Sequence, residues 1–139
     1  MKNPDKYIRA AYASAISTAT GLPVYDSGIP ISVDDLPDKY YLIGTQTKTP
    51  TAASKYGWEW MCTVELHCVF VNSKGYNSGA TVDDMEESVL SIGKSLSVPA
   101  FSSIQTNFID SIRLDMETQT NTINRKIVIY EHWLNMEEL

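Results

Sequence analysis

Hydrophobic and polar residues alternate along this chain with two different periods, and each period predicts a type of element. The clearest alternation runs from Trp58 to Phe70, where every even-numbered residue is apolar. Successive side chains of a strand point to opposite faces, so this pattern predicts a long strand with one face on a core and the other mostly wet.

Apolar residues at helical spacing predict two amphipathic helices. The first covers residues 4 to 20, with a proline in its first turn and a glycine directly after it. The second covers about 82 to 97, and Thr81 with Asp84 resembles a capping box at its start. The apolar stripe of this second helix consists of Val82, Met85, Val89, Ile92 and Leu96.

Further strands follow from shorter alternating or β-branched runs. Val24-Tyr25 predicts a short strand, and Tyr40 to Thr47 a second one. Residues 47–57 are small and polar, which predicts a flexible loop. Near the end of the chain, a half-buried strand over 108–118 and a strand over 126–134 with apolar residues on both faces predict a hairpin.

The predicted order of elements is α-β-β-β-α-β-β, within one domain spanning residues 1–139. The apolar faces of the two amphipathic helices and of the half-exposed strands are buried together when both helices pack on one face of the sheet. We therefore expect an α+β fold with an antiparallel or mixed sheet. Residues 135–139 are expected to form a frayed acidic tail.

Charge narrows the range of functions. Seventeen acidic and eleven basic residues give a net charge of −6, which argues against a general duplex-binding surface. Two segments, residues 47–57 and 119–126, contain no acidic residue, and both are predicted to be loop tips. They are either ordinary solvated loops or contacts to a neighbouring subunit's acidic patch or to DNA. The candidate contact residues, with two aromatic loop residues included, are Lys48, Lys55, Tyr56, Tyr76, Arg125 and Lys126.

The residues that could bind phosphate or a metal, or act as a nucleophile, do not form a known motif in this sequence. The glycine-containing loop at 74–81 lacks the spacing and the Lys-Ser/Thr pair of a phosphate-binding loop. His67 and His132 could meet across a sheet, but further metal ligands at fixed spacing are missing. A Gly-x-Ser-x-Gly nucleophile motif is also missing. We expect no enzyme activity, no cofactor and no metal.

The two cysteines predict a reducing compartment. Cys62 and Cys68 lie on one strand about 20 Å apart, too far to form a disulfide with each other. Buried free thiols are typical of cytosolic proteins. The early apolar stretch is too short and polar for a signal peptide, so we expect a cytosolic chain without a membrane span.

In the order of its elements the chain resembles the tail terminator, or tail-completion, proteins of long-tailed bacteriophages. The resemblance covers nearly the whole chain and is one of pattern. The segments that carry it are the first helix leading into Leu22-Pro23-Val24-Tyr25, the run Tyr40-Tyr41-Leu42-Ile43-Gly44, the strand from Trp60 to Asn72 with its turn into Thr81-Val82-Asp83-Asp84, and the strand pair Ile112 to Met116 and Lys126 to Trp133.

This resemblance implies a structural virion protein that forms a ring, typically a hexamer, at the head end of the tail tube. Such a ring caps the tube, ends its polymerisation and joins the tail to the head. The implied partners are other copies of the chain, the tail tube protein, head-tail connector proteins and DNA that passes through the channel without sequence-specific binding. The implied location is the virion tail or neck, after assembly in the host cytoplasm. A dodecameric neck adaptor and a non-viral ligand-binding or enzymatic α+β domain are the alternatives.

Overall fold

The computed structural model describes residues 3–26, 37–54, 57–73, 79–117, 119 and 121–137. These residues form two helices and five strands in the order α1-β1-β2-β3-α2-β4-β5, which confirms the predicted order. The elements are α1 (Pro4–Thr20), β1 (Val24–Asp26), β2 (Lys39–Ser54), β3 (Gly57–Ser73), α2 (Gly79–Lys94), β4 (Phe101–Glu117) and β5 (Asn121–Glu137).

The strands form one sheet in the order β1-β2-β3-β5-β4. β1 runs parallel to β2, whereas β2-β3, β3-β5 and β5-β4 are antiparallel pairs. The sheet is therefore mixed, and the predicted α+β class is confirmed. β1 and β4 are its two edges among the described strands.

Helix α1 has the boundaries that the sequence predicts. The Asn3 side chain caps it by accepting a 3.1 Å hydrogen bond from the backbone N–H of Asp5. Gly21 ends it in the left-handed conformation, with φ of 69°, and its N–H donates to the Ser17 carbonyl. The face toward the sheet buries Ile8, Tyr12 and Ile16.

Helix α2 begins and ends about three residues earlier than predicted. Because it already includes Gly79 and Ala80, Thr81 lies inside the first turn, and the predicted capping box is wrong. Leu96 and Val98 lie beyond the helix end at Lys94 but are still buried against the core. Neither described helix has the combination of length and apolar character that crossing a bilayer requires.

Strands β2 and β3 form a longer hairpin than expected. The loop predicted over 47–57 is wrong for most of its length, since β2 continues to Ser54 and β3 begins at Gly57. Pairing with β3 overrides the local turn propensity of this small, polar segment, which has Thr47 opposite Thr63. Pro50 is accommodated at a register irregularity, on a stretch where β1 no longer pairs with β2.

The hairpin of β4 and β5 is also longer than predicted. Ser102 pairs with Asn135, so the polar first half of β4 and the residues expected as a frayed tail up to Glu137 belong to the ladder. Residues 138 and 139 lie outside the described residues. Arg125 and Lys126 lie within β5, not at a loop tip as predicted.

The core lies between the sheet and the two helices. The even-numbered side of β3 faces the helices, and Cys62, Val64, Leu66 and Cys68 are at most 1% exposed. This confirms the covered face that the alternation predicts. Both cysteines are free, and burial raises the pKa of each thiol to about 12. They behave as small core residues.

Candidate functional site

The sheet has one face covered by helices and one face that no described element covers. We call the second one the outer face. On β4 it carries Ile112, Leu114 and Met116, which are 41%, 51% and 55% exposed. The register places Ile127, Arg125 and Ile123 of β5 beside them. An exposed row of aliphatic residues is typical of an interaction surface.

The apolar residues continue from β4 across the sheet. The cross-strand register aligns Ile127 with His67 of β3, and His67 in turn with Leu42 of β2. Val71 lies opposite Ile123 in the same way. We call this group the apolar patch: Leu42, Val71, Ile112, Leu114, Met116, Ile123, Ile127 and Ile129.

Sequence reasoning missed the exposure of the patch. Ile112, Leu114 and Met116 were expected on the buried side of a half-buried strand, and this expectation is wrong. Both helices lie on the other face, toward which β4 turns Ser111 and Arg113. Residues under a helix layer are usually apolar, so the polar character of this second set gave no sign that it faces the helices.

Arg125 lies inside the patch as a half-buried cation. The register places it between Leu114 of β4 and Val69 of β3. It makes no ion pair within the described part of the chain. Aliphatic side chains of β3, β4 and β5 therefore flank this cation.

His67 lies close to this cation on the outer face. Burial, followed by the positive charge of Arg125, lowers the pKa of the His67 imidazole. The Glu65 carboxylate, whose oxygen lies 3.5 Å from His67 Nε2, opposes this shift. Gly44 fits against the same ring, since a Cβ there would lie 2.6 Å from Nε2.

Lys126 lies on the opposite face from Arg125, so the structure separates these two predicted contact residues. Its Nζ lies 2.7 Å from an Asp83 oxygen and 3.4 Å from Glu86, both on α2 of the same chain. The hydrogen bond to Asp83 is the first cause that raises the pKa of Lys126. Ser111 also donates to the Glu86 carboxylate. These contacts join β4 and β5 to α2.

Lys48 is also engaged within the chain. Its Nζ lies 3.0 Å from an Asp5 carboxylate oxygen and donates to the Asn3 side chain at 2.8 Å. It also lies 5.7 Å from the centre of the Trp60 ring. These contacts connect β2 to the beginning of α1. The other three predicted contact residues, Lys55, Tyr56 and Tyr76, lie outside the residues that the structure describes.

The two histidines do not meet. His67 is on the outer face, whereas His132, opposite Cys62, is on the helix side. His132 is 1% exposed, bonds through Nε2 to the Tyr12 hydroxyl and stacks on Tyr130. Burial lowers its pKa to about 4. Across the described ranges, no three acidic, histidine or cysteine residues come close enough to hold a metal ion.

The exposed side of the helix layer has a different character. Two adjoining hollows of about 500 and 670 Å³ lie along the line between α1 and α2 and share Ala19, Ile92 and Ser95. Asp84 and Glu87 line one end. We call this feature the interhelical groove; small residues of α1 form much of its wall, namely Ala10, Ala11, Ser14, Ala15 and Thr18.

Comparison with solved structures finds a similar chain in a particle described as the virion of a native gene transfer agent. The two chains superpose with a TM-score of 0.70 at 14% sequence identity, over 97% of this chain and 99% of that chain. At this identity, the likeness shows a shared fold. No family model matches the chain, and no curated protein matches its sequence.

Proposed function

We propose that this chain is a structural protein of a phage-like virion. In this role it forms a ring at the head end of the tail, where it caps the tail tube, ends its polymerisation and joins the tail to the head. The observation that carries the proposal is the fold shared over 97% of the chain with a virion chain. The resemblance of its element order to tail terminator proteins supports the position that we propose for it in the particle.

The outer face supports a role in assembly. A chain that worked alone would expose little contiguous apolar surface, yet three aliphatic residues of β4 are more than two-fifths exposed. The two sides of the molecule also differ, one apolar with a central cation and the other grooved and acidic. Contacts between unlike surfaces form closed rings or open filaments.

The charge of the chain suits a ring that DNA crosses without being held. Tight non-specific DNA binding needs many lysine and arginine contacts to phosphates. Here the net charge is −6, and two of the six candidate contact residues, Lys48 and Lys126, are paired with carboxylates of their own chain. We therefore propose that DNA passes through the channel of the ring without being tightly bound.

The oligomeric state tests the ring directly. Mass photometry from nanomolar to micromolar concentration should show a monomer or weak oligomer that converts to one larger species, with closed rings in negative stain. Six subunits per ring match the terminator, and twelve match the neck adaptor. A stable dimer at every concentration would contradict the proposal.

Deletion of the gene that encodes this chain tests its position in the particle. Loss of a terminator should leave tails of uncontrolled length and unjoined heads, whereas loss of an adaptor should leave tails of normal length. Gold-labelled antibodies should bind at the neck of complete particles. Normal particles without the protein would exclude both roles.

A further inference from the structure

The two chemically different sides of the molecule face away from each other. The apolar patch lies on the outer face of the sheet, and the interhelical groove lies on the far side of the helix layer. One chain cannot bring them together. A second copy can, and the pair then keeps the groove of one copy and the patch of the other free for further copies.

The two surfaces differ in relief, one projecting and the other hollow. Ile112, Leu114 and Met116 project from β4 as a row of long side chains. The groove is about 670 Å³ in its larger part, and its alanine, serine and threonine wall lets another chain approach closely. Ile92 and Leu96 in the same wall offer apolar contact.

The charges of the two surfaces match. Arg125 is the cation inside the patch, and it has no ion-pair partner within the described part of its own chain. Asp84 and Glu87 line the groove, and no described cation pairs with either of them. Asp83 and Glu86 of the same helix are already paired with Lys126.

We propose that the apolar patch of one copy docks into the interhelical groove of the next, with Arg125 reaching Asp84 and Glu87 of that copy. This inference rests on the proposed ring and assigns its subunit contact. A patch that packed on the patch of a second copy would instead place two Arg125 side chains in one interface and would end assembly at a dimer.

Cross-linking between introduced cysteines tests which surfaces meet. Leu114→Cys lies in the patch and Ser14→Cys in the groove, while the natural Cys62 and Cys68 are buried and resist thiol reagents. With a short bis-maleimide, the double variant should give a ladder that ends at the ring number. A mixture of the two single variants should stop at two copies, and Leu114→Cys alone should give no linked product.

Charge reversal tests the pairing. Arg125→Glu should raise the concentration for half-assembly roughly tenfold or more, and so should Asp84→Lys with Glu87→Lys. All three changes together should recover most of the loss. Lys39→Glu makes the same charge change as Arg125→Glu at an exposed position outside both surfaces and should leave assembly unchanged. Circular dichroism checks that each variant is folded.

The outcomes separate the two proposals. Two results with Arg125→Glu would overturn the patch-to-groove contact and leave the ring intact. In the first, the variant assembles into rings as the wild type does. In the second, its subunits still form rings but the rings no longer bind tail tubes. Linked pairs from Leu114→Cys alone also overturn this contact, in favour of patch-to-patch packing. A wild-type chain that stays monomeric overturns the ring, and this contact with it.

Discussion

Single side chains on the helix side of the sheet combine tight packing with a few satisfied polar groups. His132 is held by the Tyr12 hydroxyl and by Thr106, whose Oγ1 lies 3.3 Å from Nδ1. Asn72 donates to Asn124, which in turn donates to Asp115 at 2.9 Å. Buried polar groups with partners cost little, whereas a charge in the same place costs much more.

His132 makes stability depend on acid. Above pH 6.5 its ring is neutral in both states; between 6.5 and about 4 only the unfolded chain binds the proton, so acid favours unfolding. The loss approaches on the order of 3 kcal/mol at the acidic end. Urea titrations across this range should show a steeper decline for the wild type than for His132→Gln. Parallel curves would contradict the assignment.

Substitutions at Leu66 and Glu65 test whether only one face of β3 is buried. Leu66 is 1% exposed in the core, so Leu66→Ala should lower the free energy of unfolding by about 2–5 kcal/mol. Glu65 is its half-exposed neighbour on the outer face, and Glu65→Ala should cost well under about 1 kcal/mol. Chemical denaturation measures both. Equal costs would mean that both faces are covered.

Whole helices and strands fit together through a few close approaches. α2 lies against β5, and Tyr130 of β5 donates a 3.0 Å hydrogen bond from its hydroxyl to the Leu90 carbonyl. The Tyr130 ring lies directly over Gly93, where a Cβ would be 2.5 Å from the nearest ring carbon. The glycine therefore sets the distance between α2 and the sheet.

Gly93→Ala separates this packing from helix propensity. Alanine favours a helix by about 1 kcal/mol over glycine, but the added methyl would force α2 and Tyr130 apart at a cost of about 1–3 kcal/mol. We expect a lower melting temperature. Ser91→Ala, exposed on the same helix, serves as the matched control and should be neutral or slightly stabilising. A melting temperature for Gly93→Ala at or above that of the control would show that the helix can shift.

In the whole molecule, two cations that are adjacent in the sequence lie on opposite faces of the sheet and make different contacts. Arg125 and Lys126 are adjacent in sequence, yet one lies in the apolar patch and the other joins β5 to α2. Alternation along a strand produces this division, since adjacent side chains point to opposite faces.

Arg125→Ser and Lys126→Ser should therefore have different effects. Arg125→Ser should leave the melting temperature of the monomer unchanged and weaken assembly, because the cation contacts only the outer face. Lys126→Ser should lower the melting temperature, since Asp83 and Glu86 lose their partner. Differential scanning fluorimetry at low concentration and mass photometry at high concentration measure the two effects. The same loss of assembly from both variants at unchanged stability would contradict this division.

Much of the fold follows from local sequence. The boundaries of α1, the covered side of β3 and the order of elements were all predictable, because capping residues and side-chain periodicity act within a few residues. The candidate site was less predictable. Of its residues, Arg125 was identified from the acid-free segment, but its aliphatic surroundings on β4 were assigned to the core.

The remaining features depend on contacts between distant segments. β2 continues to Ser54 and β5 to Glu137 because each has a neighbouring strand to pair with, although their own residues favour a loop or a frayed end. Periodicity shows that Ile112 and Leu114 share a side of β4, but both sides of a strand are equivalent until other elements pack on one of them. The helices α1 and α2 pack on the other face, and this packing converts a row that the sequence assigns to the core into exposed surface.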